Sequence, residues 1–268
     1  MVTRDFAKVI TSQSRSPQNF FLLAFALSTP FWLLGAVTGL QLSPGPPVSS
    51  FMVVCPTTAA LILVHGENRT AGMAELLKRS FDYKRIGAKV WYVPTILFMP
   101  GVMALEYGLR RFMGSPIPAP QFPMLTLVVM LFVFFITGLG EELGWMGYAI
   151  DPLQARSNAL QAGILLGLVW AAWHIIPVVQ AGRGSVWIAW QCLAWVSGRV
   201  LIVWLYNNTG KSVFAAAVYH TMLNVSFFLF PVGGSYYDPR ITGLIMTFAA
   251  AIVAVLWGQR TLARYRNS

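Results

Sequence analysis

The sequence predicts an all-α fold, a polytopic bundle of about eight transmembrane helices with the N- and C-termini in the cytoplasm. Of the 268 residues, 56% are hydrophobic and only 10% are charged, whereas a soluble domain carries about 25% charged residues. The charges are clustered and leave several runs of roughly 20 mostly apolar residues, enough to cross a bilayer as helix. The basic residues also fall unevenly on the two sides of such a bundle, which indicates its orientation.

Eight apolar segments are candidate spans. The first follows a polar tail without a small-x-small cleavage pattern, so we expect an uncleaved helix rather than a signal peptide. The prolines and glycine of Pro44–Pro47 predict a tight turn after it. The fourth ends at Glu142 or continues to Tyr148. In chain order the spans are Asn19–Leu40, Val48–His65, Val90–Leu109, Pro123–Glu142, Leu160–Gln180, Val186–Tyr206, Val213–Pro231 and Ile241–Trp257.

Lys and Arg residues give the orientation. With a cytoplasmic N-terminus, fourteen of the 19 lie in inside segments and one, Arg199, lies within a span. An excess of basic residues marks the cytoplasmic side, and an even number of spans places both termini there. The four on the outside are Arg110, Arg111, Arg183 and Arg240.

The net charge of +10 does not indicate nucleic-acid binding. The basic residues flank apolar runs, and no basic stripe carries interleaved aromatic residues for base stacking. Cys55 and Cys192 both lie in apolar runs and form neither a disulfide framework nor a CxxC metal motif. We therefore expect the lipid bilayer, and no nucleic acid, among the partners.

The informative residues are polar groups inside predicted spans. A charge at the centre of a membrane helix costs at least about 2.5–3.5 kcal/mol, so each one is a functional candidate. Two of the three histidines of the chain lie well within apolar segments. The full set of intramembrane ionisable residues is Glu141, Glu142, His174, Arg199 and His220.

The spacing of these residues narrows their roles. Adjacent carboxylates on a helix point about 100° apart, so Glu141 and Glu142 cannot share one role. Residues four apart share a helix face, as do Trp170 with His174 and His220 with Asn224. Small residues allow helices to approach closely, and the region of the carboxylates contains Gly138, Gly140, Gly144 and Gly147.

With these motifs the chain resembles the CAAX protease and bacteriocin-processing family of intramembrane proteases, the type II CAAX prenyl endopeptidase group. The family pattern is Glu-Glu-x-x-x-Arg, then aromatic-x-x-x-His, then His-x-x-x-Asn/Ser, and the resemblance covers about residues 135–230. The corresponding segments here are Glu141-Glu142-Leu-Gly-Trp-Met146, Trp170-Ala-Ala-Trp-His174 and His220-Thr-Met-Leu-Asn224. Any one motif is weak, but the ordered set of three is specific.

The resemblance implies an endopeptidase that hydrolyses a peptide bond in a membrane-associated peptide or protein. Glu141 would be the general base that activates water, helped by His174, while His220 and Asn224 would polarise the scissile carbonyl. The alternative makes Glu141, His174 and His220 ligands of a divalent metal such as zinc, with one position left for water. The sequence does not separate these mechanisms.

One residue departs from the family pattern. Where the family has an arginine, this chain has Met146, so Glu142 lacks the partner that the spacing would supply. We expect Glu142 to pair across helices with Arg199, with Arg156 as the second candidate. Without that pairing, Arg199 would extend towards the cytoplasm instead.

The predicted organisation places a helical core like that of the family within a longer membrane protein of the bacterial plasma membrane. The basic loop 66–89 is expected to contain an amphipathic segment around Ala74–Phe81. The divisions are a cytoplasmic tail 1–18, N-terminal helices 19–122, the core 123–231, and a final helix with a basic tail 232–268.

Two other functions remain open on the sequence. Met146 allows a catalytically lapsed relative that acts as a membrane scaffold or immunity protein. Buried Glu and His residues also occur in small proton-coupled transporters.

The depths of the candidate residues in the membrane are a difficulty for the protease hypothesis. If the fourth span ends at Glu142, Glu141 lies near the cytoplasm and His174 near the outside, about 10 Å apart in depth.

Overall fold

The computed structural model describes residues 15–42 and 46–263. Within them, regular structure is helical apart from one antiparallel bridge between Gln41 and Pro47. The predicted N-terminal tail up to residue 14, Pro44 and Gly45 of the predicted first turn, and the basic end after residue 263 lie outside the described residues.

Nine α-helices form the described part of the chain. Seven helical stretches are long and apolar enough to cross a membrane, and α8, with 17 residues, is a shorter apolar helix. The predicted all-α polytopic bundle is thus confirmed, while the side on which the termini lie stays a prediction. The helices are α1 Pro17–Thr38, α2 Cys55–Lys78, α3 Tyr92–Phe112, α4 Met124–Gly144, α5 Ile150–Arg156, α6 Ala159–Gln180, α7 Ser185–Asn208, α8 Val213–Leu229 and α9 Pro239–Trp257.

Polar side chains mark several helix starts. The side chain of Ser16 accepts from the backbone N–H of Asn19 at the start of α1, and Asn158 does the same for Gln161 at the start of α6. Ser212 caps α8 in this way. Such caps satisfy backbone donors that have no partner within the helix.

The basic loop expected at 66–89 is largely helical. Helix α2 continues past His65 to Lys78, with a break where Asn68 and Arg69 leave helical geometry. The charged residues end the apolar run, but Ala, Met, Glu, Leu and Lys in this stretch favour helix. Directly after α2, Arg79 donates a hydrogen bond to the backbone carbonyl of Gly147 at 2.9 Å and so connects this segment to the bundle.

The predicted end of the fourth span was too early. A π-helical turn, Trp145–Ala149, joins α4 to α5, so a continuous helical stretch of 33 residues runs from Met124 to Arg156. Glu141 lies 15 residues before Arg156, and His174 lies 15 residues after Ala159. At about 1.5 Å per residue, both lie about 22 Å from the turn between the two helices. The expected difference in depth is therefore wrong.

The four glycines near the carboxylates lie at close helix contacts, as their size predicts. A Cβ atom added at Gly138 would lie 3.3 Å from the carbonyl oxygen of Ala217 on α8. One added at Gly144 would lie 2.5 Å from the carbonyl oxygen of Pro56 on α2. Gly140 and Gly147 are similarly enclosed, by Val53 and by Leu76. Helix α4 can therefore carry its carboxylates deep into the bundle.

Candidate active site

Four helices bring the intramembrane ionisable residues together. Helix α4 supplies the adjacent carboxylates, α6 supplies Trp170 and His174, α7 supplies Arg199, and α8 supplies His220. Glu142 and Arg199 are completely buried, and Glu141 and His220 retain only 3% and 2% of their exposure.

The two oxygens of Glu141 have different surroundings. Oε2 accepts a hydrogen bond from the indole Nε1 of Trp170 at 2.6 Å. Oε1 lies 3.9 Å from Nε2 of His220, too far for a direct hydrogen bond. One oxygen is therefore held in place, while the other faces an imidazole nitrogen across a gap.

Glu142 is held by two charge-assisted contacts. Arg199 Nη1 donates to Oε1 at 2.8 Å and lies 2.7 Å from Oε2, so the expected cross-helix contact is present. Oε1 also accepts from Nδ1 of His220 at 2.7 Å. The second contact was not expected, because spacing along separate helices does not show which side chains meet.

Both histidines use Nδ1 for a structural hydrogen bond. His220 Nδ1 donates to the carboxylate of Glu142, and His174 Nδ1 donates to the backbone carbonyl of Trp170 at 2.9 Å, since a carbonyl oxygen only accepts. In each ring Nε2 is the nitrogen left for chemistry.

Tryptophan side chains surround His174. The rings of Trp170, Trp173 and Trp195 have centroids 4.4, 4.7 and 5.0 Å from that of His174. Trp195 was missed on the sequence. Its signal is the four-residue spacing to Arg199, which places both on one face of α7.

Asn224 occupies the expected position on α8, one turn after His220, and is half-buried. Within the described residues its side-chain amide has no hydrogen-bond partner. Of the four predicted catalytic residues, the contacts tie Glu141, His174 and His220 to Trp170. Asn224 is placed by its helix alone.

The metal alternative for Glu141, His174 and His220 stays a prediction. A catalytic zinc needs about three protein ligands around one point. Among residues 15–42 and 46–263, no group of three or more His, Cys, Asp or Glu side chains is positioned to hold a metal ion. Trp170 binds one oxygen of Glu141, and a backbone carbonyl binds Nδ1 of His174, so Oε1 of Glu141 and Nε2 of each histidine are the atoms that would bind a metal ion.

Met146, which replaces the family arginine, is completely buried in the π-helical turn. It packs in the hydrophobic core. The cation that neutralises Glu142 comes from α7 instead, so the departure from the motif does not leave this carboxylate without a partner.

Comparison with known proteins finds two similarities to CAAX prenyl proteases. Residues 123–226 match the family model described as type II CAAX prenyl endopeptidase, Rce1-like. The chain is 27% identical over 265 residues to CAAX prenyl protease 2 of Methanococcus maripaludis, covering 91% of this chain and 96% of that protein.

The matched segment contains every residue of the candidate site, from the carboxylates of α4 to Asn224. The family is one of hydrolases that act in membranes on peptide or protein substrates. The chain is thus a multi-pass membrane protein with an intramembrane protease-like core. Its residues 123–226 are similar to the Rce1-like family of type II CAAX prenyl endopeptidases.

Proposed function

We propose that this protein is an intramembrane endopeptidase that hydrolyses a peptide bond of a membrane-associated substrate with water activated by Glu141. The observation that carries the proposal is the gap between Glu141 and His220. Oε1 and Nε2 lie 3.9 Å apart, too far for a direct hydrogen bond, which leaves Oε1 available to a water molecule and Nε2 to the scissile carbonyl oxygen.

In the proposed reaction, Glu141 Oε1 takes a proton from this water as its oxygen attacks the scissile carbonyl carbon. His174 helps to hold the water through Nε2. The negative charge that develops on the carbonyl oxygen is stabilised by N–H groups of His220 and Asn224. As the C–N bond breaks, Glu141 returns the proton to the leaving nitrogen.

The buried carboxylate Glu142 supports this role of His220. The proposed role of His220 needs an N–H group on each of its two nitrogens. Its Nδ1–H binds Glu142, which leaves Nε2–H for the carbonyl oxygen. Low polarity around the site strengthens each of these interactions.

The names of the relatives suggest the substrate. We propose a C-terminal CAAX sequence carrying a prenyl group, with an unprenylated peptide, such as a bacteriocin-type leader, as the alternative. The exposed apolar surface of the bundle agrees with a substrate that arrives in the bilayer.

The test uses the full-length protein in lipid nanodiscs and a fluorogenic farnesylated peptide that ends in a CAAX sequence. The same peptide without the prenyl group separates the two substrate classes. We expect E141Q to lower kcat about 100- to 10,000-fold, the contribution of a general base. Hydrolysis by E141Q at the rate of the unchanged protein would contradict the proposal.

E106Q is the matched control. Glu106 is also a buried carboxylate, 4% exposed, but it lies on α3 and accepts from the backbone N–H of Asp238. We expect E106Q to lower thermal stability and to leave kcat within about threefold.

Two outcomes would favour the other functions. If the unchanged protein cleaves nothing in a peptide library, the hypothesis of a catalytically lapsed scaffold gains support. Proton-coupled flux in liposomes that depends on Glu141 and His220 would instead support a transporter.

A further inference from the structure

Arg199 contacts both sides of the candidate site. Its Nη1 binds both oxygens of Glu142, and its Cζ atom lies 4.4 Å from the ring centroid of Trp170. Glu142 in turn binds His220, and Trp170 binds Glu141. One guanidinium therefore contacts the hydrogen-bond partner of Glu141 and the hydrogen-bond partner of His220.

Burying the guanidinium of Arg199 costs free energy. It is completely buried, and within the described residues its Nε and Nη2 atoms have no hydrogen-bond partner. An incompletely satisfied buried cation is expensive, and well-packed apolar residues often replace a buried ion pair without loss of stability. Stability alone does not account for this residue.

Helix packing places the guanidinium under the indole. A Cβ atom added at Gly167 on α6 would lie 2.9 Å from Cα of Val196 and 3.2 Å from Cβ of Arg199. Gly167 lies one turn before Trp170, so α7 approaches α6 at this level. The close approach brings the cation onto the face of the ring, where the attraction is strongest.

We propose that Arg199 is the positioning residue of this site, holding Glu142 against His220 and the indole of Trp170 against Glu141. The inference rests on the proposed function for its catalytic consequence only. Arg199 fixes Glu142 and Trp170, which in turn hold His220 and Glu141, the groups that act on the substrate and the water in the proposed reaction. It also supplies, from another helix, the cation that the Met146 position lacks.

The first test replaces Arg199 by Met and by Lys. We expect R199M to lower kcat about 10- to 100-fold, because the loss of a hydrogen bond to a charged group has an effect of this size. KM should stay within threefold because no substrate contact is lost. R199K keeps the charge but not the planar group, so it should recover at least threefold of the loss. A kcat for R199M within threefold of the unchanged protein would overturn the proposal.

The second test needs no substrate. With only three histidines in the chain, the hydrogen-bonded Nδ1–H of His220 can be assigned by nuclear magnetic resonance with the variants H65N and H174N. We expect this signal to move or vanish in R199M. It should persist in R79M, which removes another largely buried guanidinium that binds Gly147 and Tyr206 instead. An unchanged signal in R199M would overturn the proposal even if no peptide is ever cleaved.

The third test exchanges the charges. In E142R/R199E the ion pair can form again, so we expect thermal stability to recover relative to either single variant. The carboxylate now comes from α7 and no longer meets Nδ1 of His220, so kcat should stay at least tenfold low. The double variant also tests the proposal if R199M does not fold. Full recovery of kcat in the exchanged protein would show that His220 does not need a carboxylate on α4 to position it, and would overturn the proposal.

Discussion

Trp170 donates its indole N–H to Glu141 at 2.6 Å, across the contact between α6 and α4. The bond fixes one oxygen of the carboxylate and thereby directs the other at His220. We expect W170F to lower kcat about 10- to 100-fold, because hydrogen bonds to charged groups contribute about 1.5–3 kcal/mol. The measurement is peptide hydrolysis by the purified protein.

W204F is the matched control for this prediction. Trp204 is also buried, but within the described residues its Nε1 has no hydrogen-bond partner. Its replacement removes an indole N–H that binds nothing. Equal losses of activity in the two variants would mean that packing, and not the bond to Glu141, explains the effect.

Gly138 should not tolerate a side chain. A Cβ atom there would lie 3.3 Å from the carbonyl oxygen of Ala217 and 3.8 Å from Cβ of His220. G138L should destabilise the protein by about 1–3 kcal/mol and lower kcat, because it separates the helices that carry Glu141 and His220. Gly101 has open space around it, so G101L should leave both quantities near their original values. Thermal unfolding in detergent and the peptide assay measure the difference.

Asp82 fixes the helix that carries His220. Its side chain accepts from Ser212 Oγ at 2.7 Å and from the backbone N–H of Phe214 at 3.0 Å, in the first turn of α8. D82A should lower stability by about 0.5–2 kcal/mol, the cost of losing a helix cap, and should also lower kcat by shifting α8. Asp238 caps α9, which carries no site residue, so D238A should reduce stability without lowering kcat. An unchanged kcat in D82A would contradict this prediction.

Chelators should leave hydrolysis unchanged, because in the proposed mechanism Glu141 activates the water without a metal ion. The assay compares the purified protein before and after treatment with 1,10-phenanthroline and with a non-chelating phenanthroline isomer. Loss of turnover with the chelator alone, restored by added zinc, would instead favour the metal mechanism.

The sequence predicted the helical bundle because long apolar runs have few structural alternatives in a membrane. It also predicted the contact of Glu142 with Arg199, since two buried charges of opposite sign gain most by pairing. Helix ends were less predictable. Hydropathy marks where apolar residues stop, but α2 and the stretch from α4 to α5 continue through polar residues. The contact of Glu142 with His220 depends on how α4 and α8 pack, which spacing along the chain does not reveal.

Ser157 and Asn158 form the turn of a helical hairpin. Its first arm runs from Glu141 to this turn and its second arm runs from the turn to His174, and the two arms have the same length. One residue added to either arm would move its group by about 1.5 Å and rotate it by about 100°. Changes in length here can preserve the site only when both arms change together, or when they fall in the turn itself. Insertions in this protein should therefore be tolerated at the other helix connections far better than within residues 141–174.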